Sequence, residues 1–182
     1  MRKAQNGDRN AFMELVKRHE HHVAATVISM LGPTPEADDV GQETFLRFYQ
    51  SLAKFRKEAS VKTYLTRIAI NLSLNELKRR SRRQKKFFST PDAAEMDNIP
   101  DPRAQEKAQD LKDLVHAGIQ KLDPKSRAVI VLRLIDGYST RETARILRVP
   151  VGTVLSRLAR AQKKLREILR PVFWNKTRIN GR

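Results

Sequence analysis

The 182 residues include 37 lysines and arginines against 20 aspartates and glutamates, a formal net charge of +17. Such an excess favours a polyanionic partner, and nucleic acid fits best. The absence of cysteine excludes disulfides and thiolate metal sites. No apolar run approaches the roughly 18 residues of a membrane span, and no signal peptide is visible. We therefore expect a cytoplasmic protein with no membrane insertion, and helical spacing without alternating strands predicts an all-α fold.

The first sustained helix is predicted from about Asn10 to Leu31, and Gly32 ends it. It contains three histidines, His19, His21 and His22. Helical zinc ligands need spacings of three or four residues, and one such pair is too little for a site. We interpret these histidines as solvent-facing or partly packed, and we expect no metal and no cofactor.

Thr34 and Pro35 are predicted to start a second helix, as an N-cap followed by proline. An unusual stripe follows on its outer side, namely Asp39, Gln42, Glu43 and Leu46. In so basic a chain, this acidic stripe is either a solvated surface or a docking face for a basic partner protein. We favour docking, in which the charge steers the partner and the leucine anchors it.

Ser60 is placed to cap a third helix that is predicted to run to about Arg80. Its outer face combines one ring, two amides and two cations: Tyr64, Arg67, Asn71, Asn75 and Lys78. Unpaired nucleotides need a ring for stacking, amides for base edges and cations for phosphates. The alternative is an ordinary polar surface, but the run of cations up to residue 86 favours nucleic acid.

Residues 89–102 hold three prolines and four acids but no basic residue. Such a composition predicts a flexible acidic linker between two small helical domains. Beyond it, a compact helix is predicted over Ser126–Asp136, with Leu134 and Ile135 in its buried centre. Pro171 is expected to end the last helix and to leave a basic tail.

A helix-turn-helix is predicted between Tyr138 and Leu165. Ser139 and Glu142 can form a capping box at its first helix, and the turn follows at residues 148–150. The second helix has an apolar face of Val154, Leu158, Ala161 and Leu165. Its polar face consists of Thr153, Ser156, Arg157, Arg160 and Lys164. Hydroxyl and guanidinium groups on one face of a helix suit the major groove of DNA.

Three stretches in this order resemble the extracytoplasmic-function (ECF) group of bacterial sigma factors. They are DDVGQETFLRFYQSLAKFR, TYLTRIAINLSLNELKRRSRR and the pair LDPKSRAVIVLRLIDGYSTRETARIL and VPVGTVLSRLARAQKKLR. The resemblance implies sigma domain 2 over residues 1–86, a flexible linker over 87–103, sigma domain 4 over 104–170 and a basic tail over 171–182. It also implies a non-enzymatic initiation factor that directs core RNA polymerase to promoters.

The same resemblance implies a role for each surface. The stripe of Asp39, Gln42, Glu43 and Leu46 would bind the coiled coil of the largest polymerase subunit, and domain 4 would meet the flap. The melted −10 element would be bound by Phe55, Arg56, Ser60, Tyr64, Arg67, Asn71, Asn75 and Lys78. The duplex −35 element would be read by Thr153, Ser156, Arg157, Arg160 and Lys164. An anti-sigma protein is a further expected partner.

The chain departs from the family pattern at four informative positions. Tyr64 replaces a usual tryptophan, and Arg148 replaces the usual glycine of the turn. Leu155 and Ala159 stand at recognition-helix positions that are often basic or bulky, so the −35 sequence does not transfer from relatives.

Two other classes of function would fit parts of the sequence. A stand-alone helix-turn-helix regulator would use the same recognition helix, but regulators usually dimerise. No zipper or dimer face is evident, so we expect a monomer when free of partners. A nucleic-acid enzyme is disfavoured because no second carboxylate group or histidine completes the acids near Asp38 as a metal site.

Overall fold

The computed structural model describes residues 1–55, 59–87 and 107–179, with side chains up to Lys85 and from Lys112 to Arg170. In these ranges every regular element is helical, which confirms the all-α prediction. The N-terminal half contains α1 (Arg2–Gln5), α2 (Arg9–Leu31), α3 (Pro35–Ser51), a 3-10 turn (Leu52–Lys54) and α4 (Val61–Phe87). The C-terminal half contains α5 (Lys107–Gln120), α6 (Pro124–Ile130), a π-helical turn (Val131–Ile135), α7 (Thr140–Leu147) and α8 (Val151–Ile179).

In the N-terminal half, α2, α3 and α4 pack against one another in pairs. Their apolar stripes meet around Phe48, Val27 and Leu65, each of which is fully buried. The helix starts are fixed locally, since the Asp8 carboxylate accepts from the Ala11 amide at 2.9 Å. The predicted Ser60 cap is confirmed, because its hydroxyl accepts from the Thr63 amide at 3.1 Å.

The start of α3 lacks the capping hydrogen bond that the sequence predicts. Thr34 occupies the N-cap position and Pro35 the first turn, as expected, but the Thr34 side chain caps no amide of the helix. Its hydroxyl instead accepts from Arg80 Nη2 at 2.9 Å, and the same nitrogen donates to Glu36 at 3.1 Å. The hydroxyl is therefore used to tie α3 to α4.

The C-terminal end of α2 joins the two halves of the chain. The last carbonyls of a helix have no partner within it and carry a partial negative charge. Gln120 Nε2 donates to the Ser29 carbonyl at 2.9 Å, and Arg127 Nη1 donates to the Met30 carbonyl at 2.6 Å. Arg80 Nη1 reaches the Leu31 carbonyl at 3.3 Å. Two of these three donors come from the C-terminal half.

A second polar contact joins the halves beside α2. His22 Nε2 and the Tyr138 hydroxyl both lie within hydrogen-bond distance of the Thr66 hydroxyl, at 2.8 and 3.0 Å. The Thr26 hydroxyl donates to the Asp136 carboxylate at 3.1 Å. Burial lowers the pKa of His22 to about 4, so its ring is neutral at physiological pH.

The predicted helical domains therefore pack against each other. Apolar side chains from both halves form one continuous buried cluster, in which Met30 and Leu31 of α2 join Ile119 and Leu132. Sequence patterning could not show this, because each half has a regular apolar face of its own. The linker predicted between the domains lies almost entirely outside the described residues.

Two predictions about the C-terminal half are wrong. The buried run ends at Leu132, the second residue of the π-helical turn, and Leu134 and Ile135 in the last part of that turn are 54% and 41% exposed. Pro171 does not end the last helix, whose backbone continues to Ile179. Proline removes one amide donor, and the helix continues without that bond.

The helix-turn-helix has the predicted capping box. The Ser139 hydroxyl accepts from the Glu142 amide at 3.2 Å, and the Glu142 carboxylate accepts from the Ser139 amide at 2.8 Å. α7 ends at Leu147, and the following residue, Arg148, lies in the left-handed region with φ 53° and ψ 49°. That conformation is strained for a residue with a side chain, because Cβ crowds the following carbonyl.

Asp136 predicts a pH-dependent stability. Burial raises its pKa to about 6, although the Thr26 hydrogen bond and the charge of Lys62 act in the opposite direction. Its stabilising contribution is therefore complete below the unfolded pKa of about 4 and is lost as pH rises through about 6. Asp136→Asn should gain stability over the wild type between these values, by roughly 1–2 kcal/mol after allowance for solvent screening.

Urea unfolding at about pH 4 and about pH 7 measures this gain. The lowered pKa of His22 acts in the opposite direction, but it is common to both proteins and cancels in their difference. A difference between the proteins that stays constant with pH would contradict the assignment.

Arg148 predicts a stabilising substitution. Arg148→Gly should raise the free energy of unfolding by about 1 kcal/mol, since glycine adopts the left-handed conformation without strain. The control is Arg145→Gly, because Arg145 is equally exposed but lies within α7. It should lower stability by roughly 0.5–1 kcal/mol. Thermal unfolding of both variants tests the prediction, and destabilisation by Arg148→Gly would contradict it.

Candidate nucleic-acid interface

The predicted docking stripe lies on the outer side of α3. Asp39, Gln42 and Leu46 are exposed, and Leu46 keeps 51% of its surface accessible. Glu43 is partly exposed and forms an ion pair with Arg47 at 2.7 Å, one turn further along the helix. The four side chains are thus available together on one surface of the protein.

Sequence reasoning missed an aromatic neighbour of this stripe. Tyr49 is 53% exposed, and its ring packs edge-on against Phe12 of α2 with 4.9 Å between the ring centroids. Extension of the three-residue spacing beyond Leu46 would have found Tyr49. Its contact with α2 required the tertiary structure.

The predicted single-strand face lies on α4, on the side opposite its buried residues. Asn71, Asn75 and Lys78 are exposed, whereas Tyr64 and Arg67 are partly buried. The Arg67 guanidinium carbon lies 4.9 Å from the centroid of the Tyr64 ring, which is a cation–π contact. The ring and the guanidinium form one platform, and the two amides stand beside it along the helix.

Phe55 lies beneath this platform. It is 8% exposed, and its ring packs edge-on against Tyr64 at 5.1 Å and against Phe48 at 6.2 Å. It therefore supports Tyr64 from the core side. The Ser60 hydroxyl is engaged with Thr63 of the same turn. Arg56, predicted in the same site, lies outside the described residues.

A basic cleft continues the α4 face towards the end of the helix. It has a volume of about 470 Å³ and is lined by Asn75, Lys78, Arg79, Arg82 and Arg83. One of these cations is already paired, since Arg79 Nε lies 2.6 Å from the Glu76 carboxylate. The cleft suits the phosphate backbone of a nucleic acid, because its positive charge is concentrated just beyond the side-chain amides of Asn71 and Asn75.

The predicted recognition helix is the first part of α8. Its apolar seam is confirmed, as Val154 and Ala161 are buried and Leu158 is partly buried. On the polar side, the structure exposes Ser156, Arg160 and Lys164 and leaves Thr153 and Arg157 partly buried.

Local bonds hold this polar side in place. The Ser156 hydroxyl donates to the Thr153 carbonyl at 3.1 Å. Arg160 Nε donates to the Ser156 carbonyl at 3.3 Å, so its guanidinium lies along the helix. Arg157 is close enough to Asp123, at the start of α6, for an electrostatic interaction. Lys163 is exposed on the same side of α8, and sequence reasoning did not include it.

In the described part of the chain, histidines and carboxylates form no group of three that could hold a metal ion. None of the helices in that part is long and apolar enough to cross a membrane.

Comparison with known proteins identifies both halves. The family model for Sigma-70 region 2 matches residues 15–83, and the model for Sigma-70 region 4 matches residues 112–165. The RNA polymerase sigma-H factor of Pseudomonas aeruginosa is 33% identical over 178 residues, which is 94% of this chain and 92% of that protein. The ECF RNA polymerase sigma-E factor of Escherichia coli K12 is 35% identical over 180 residues, with 94% and 93% covered.

A solved structure shares the fold. The sigma factor RpoE of Bartonella quintana, crystallised with the anti-sigma factor NepR, superposes with a TM-score of 0.68 at 21% identity. The match covers 88% of this chain and 97% of that one. Both sigma regions in order, together with relatives that match over 94% of the chain, place it in the ECF group of the sigma-70 family of bacterial RNA polymerase sigma factors, as a transcription initiation factor with a DNA-binding helix-turn-helix in region 4.

Proposed function

We propose that this chain binds core RNA polymerase and directs initiation by reading the −35 element as duplex and the −10 element as a melted strand. The observation that carries the proposal is the presence of three separate exposed faces on one chain. They are the acidic stripe of α3, the ring-and-amide face of α4 and the recognition helix α8. A stand-alone regulator would need only the third, which is why we favour the sigma function.

We assign polymerase binding to Asp39, Gln42, Glu43 and Leu46. A protein interface gains specificity from charge at its rim and affinity from an apolar anchor at its centre. Leu46 supplies that anchor about one turn beyond Glu43, and the exposed Tyr49 enlarges it. The target is a basic helical surface, which suits the coiled coil of the largest polymerase subunit, and region 4 would contact the flap.

We assign capture of the melted −10 strand to the α4 face. Unstacking a base costs a few kcal/mol, whereas stacking on an aromatic ring contributes about 1–3 kcal/mol. Tyr64 with Arg67 supplies the platform, and Asn71 and Asn75 supply donors and acceptors for the base edge. Lys78 and the basic cleft lie further along α4, where they would bind the phosphates of the same strand.

The two halves must separate on the promoter. The elements lie about 25 base pairs apart, which is roughly 80 Å along B-DNA. A packed chain of this length is roughly 40–50 Å across, about the length of its longest helix, the 29-residue α8. We therefore propose that the packed arrangement is the free state, and that polymerase and DNA bind the opened chain. An anti-sigma protein would act by holding the packed state, and the solved RpoE complex with NepR supports such a partner.

The remaining assignments follow from the same role. The chain would act in the cytoplasm as a monomer when free, and it would have no catalytic activity of its own. Its functional units would be residues 1–86 and 104–170, with the acidic segment between them and the basic tail after them.

Run-off transcription tests the proposed function. Core polymerase supplied with this chain should initiate from promoters that core polymerase alone ignores. Mapping the start sites would yield both elements at once. Transcription that stays independent of the added chain on every template would overturn the proposal in favour of a stand-alone regulator.

Glu43→Lys tests the docking stripe. Reversal of the charge should weaken binding to core polymerase by roughly tenfold or more, because like charges would then face each other. Glu14→Lys is the matched control, since it also breaks an exposed pair four residues apart, Glu14–Arg18, but on α2. A pull-down with core polymerase measures both, and equal binding by the two variants would refute the assignment.

Asn71→Ala tests base capture. Loss of one hydrogen bond to a base, worth about 1 kcal/mol, should slow open-complex formation by roughly fivefold. The control is Asn10→Ala, which removes an equally exposed amide from α2. Permanganate footprinting of the −10 region follows strand opening. Unchanged opening by Asn71→Ala would remove this residue from the site.

A further inference from the structure

The recognition helix presents an exposed leucine on its outer side. Successive residues of an α-helix are separated by about 100°, so the side opposite the buried Val154 and Ala161 centres on Ser156 and Ala159. Leu155 and Arg160 flank this centre. Leu155 is 53% exposed, and Val151, one turn before it, is 42% exposed.

Leu155 has no role in the described core. It belongs to neither of the two apolar clusters, although Val154 and Leu158 beside it are packed into them. An exposed leucine is common on a protein surface, but this one stands within the side of the helix that also carries Ser156, Arg160 and Lys163. A ligand that contacts Leu155 must therefore also bind the surrounding hydroxyl and cationic groups.

DNA in the major groove fits both requirements. Its phosphates and base acceptors match Arg160, Lys163 and Ser156, and its only apolar group at the base edges is the 5-methyl group of thymine. A leucine side chain forms no hydrogen bond with a base. It can therefore distinguish thymine from the other bases only by contact with the 5-methyl group, which the other bases lack. Ala159, exposed one turn later, leaves room beside Leu155 for such a contact.

We propose that Leu155 is a specificity-determining residue that recognises a thymine of the −35 element through its 5-methyl group. The inference rests on the proposed function, because it requires that the outer side of α8 enters the groove. It assigns a role to a residue outside the predicted polar set. It also predicts a −35 preference that relatives with a cation at this position do not share.

The experiment uses holoenzyme reconstituted from core polymerase and the full-length chain. Promoter duplexes are first selected from a pool randomised across the −35 region, and each selected thymine is then replaced singly by deoxyuridine, which lacks only the methyl group. One replacement should weaken binding by about fourfold, the factor that corresponds to about 0.8 kcal/mol for one buried methyl group.

Leu155→Ala should bind the thymine and deoxyuridine duplexes equally at that position. Leu134→Ala is the matched control, because Leu134 is equally exposed at 54% but lies outside α8. It should keep the fourfold ratio whatever its overall affinity. Leu155→Arg should in addition shift the selected base to guanine, which presents two acceptors to a guanidinium.

Three outcomes would overturn the inference. Wild-type holoenzyme that binds every deoxyuridine duplex as well as its thymine counterpart excludes methyl recognition. A fourfold ratio that persists in Leu155→Ala assigns the contact to another residue. In both cases loss of −35 binding by Arg160→Ala would leave the proposed function standing, whereas a pool in which no −35 sequence is enriched would refute both.

Discussion

The packing of this chain depends on the hydrogen bonds that the last backbone carbonyls of α2 accept from other helices. Arg127 is buried, and its guanidinium donates to carbonyl oxygens, among them that of Met30, while the Asp123 carboxylate attracts it from a longer distance. Burial lowers its pKa to about 10, so it remains charged at neutral pH. A buried cation is costly unless fixed dipoles surround it, and the negative end of a helix provides them. The same contact holds α6 against α2 and thus one half of the protein against the other.

A polar contact between the halves has a different consequence from an apolar one. When they separate, Arg127, Asp136 and Tyr138 exchange protein partners for water, which recovers part of the free energy lost with the contacts. The polar contacts make the closed interface specific, whereas opening also exposes the apolar cluster around Met30 and Leu132 and therefore requires binding free energy from the partners. All three candidate binding faces lie outside it, so partners can reach the closed chain and stabilise the open one.

Local features were predictable because they depend on neighbours in sequence. The capping box of Ser139 and Glu142 and the α4 face that carries Asn71 are both set by helical spacing. Prediction failed at Leu134 and Ile135, which lie in the last part of the π-helical turn, because apolar spacing alone did not show that the buried run ends at Leu132. It was incomplete at Tyr64, since the residue was identified but its packing on Phe55 and under Arg67 was not.

By itself the sequence determined the helices, the two sigma regions, the excess of positive charge and most residues of the three faces, because periodicity and capping act over a few residues. Only the tertiary structure decided which polar groups meet across the chain. The contacts of Thr66 with Tyr138 and of Gln120 with Ser29 join residues about 70 and 90 positions apart. No local pattern encodes such pairings, since each side chain is equally compatible with solvent until the helices pack.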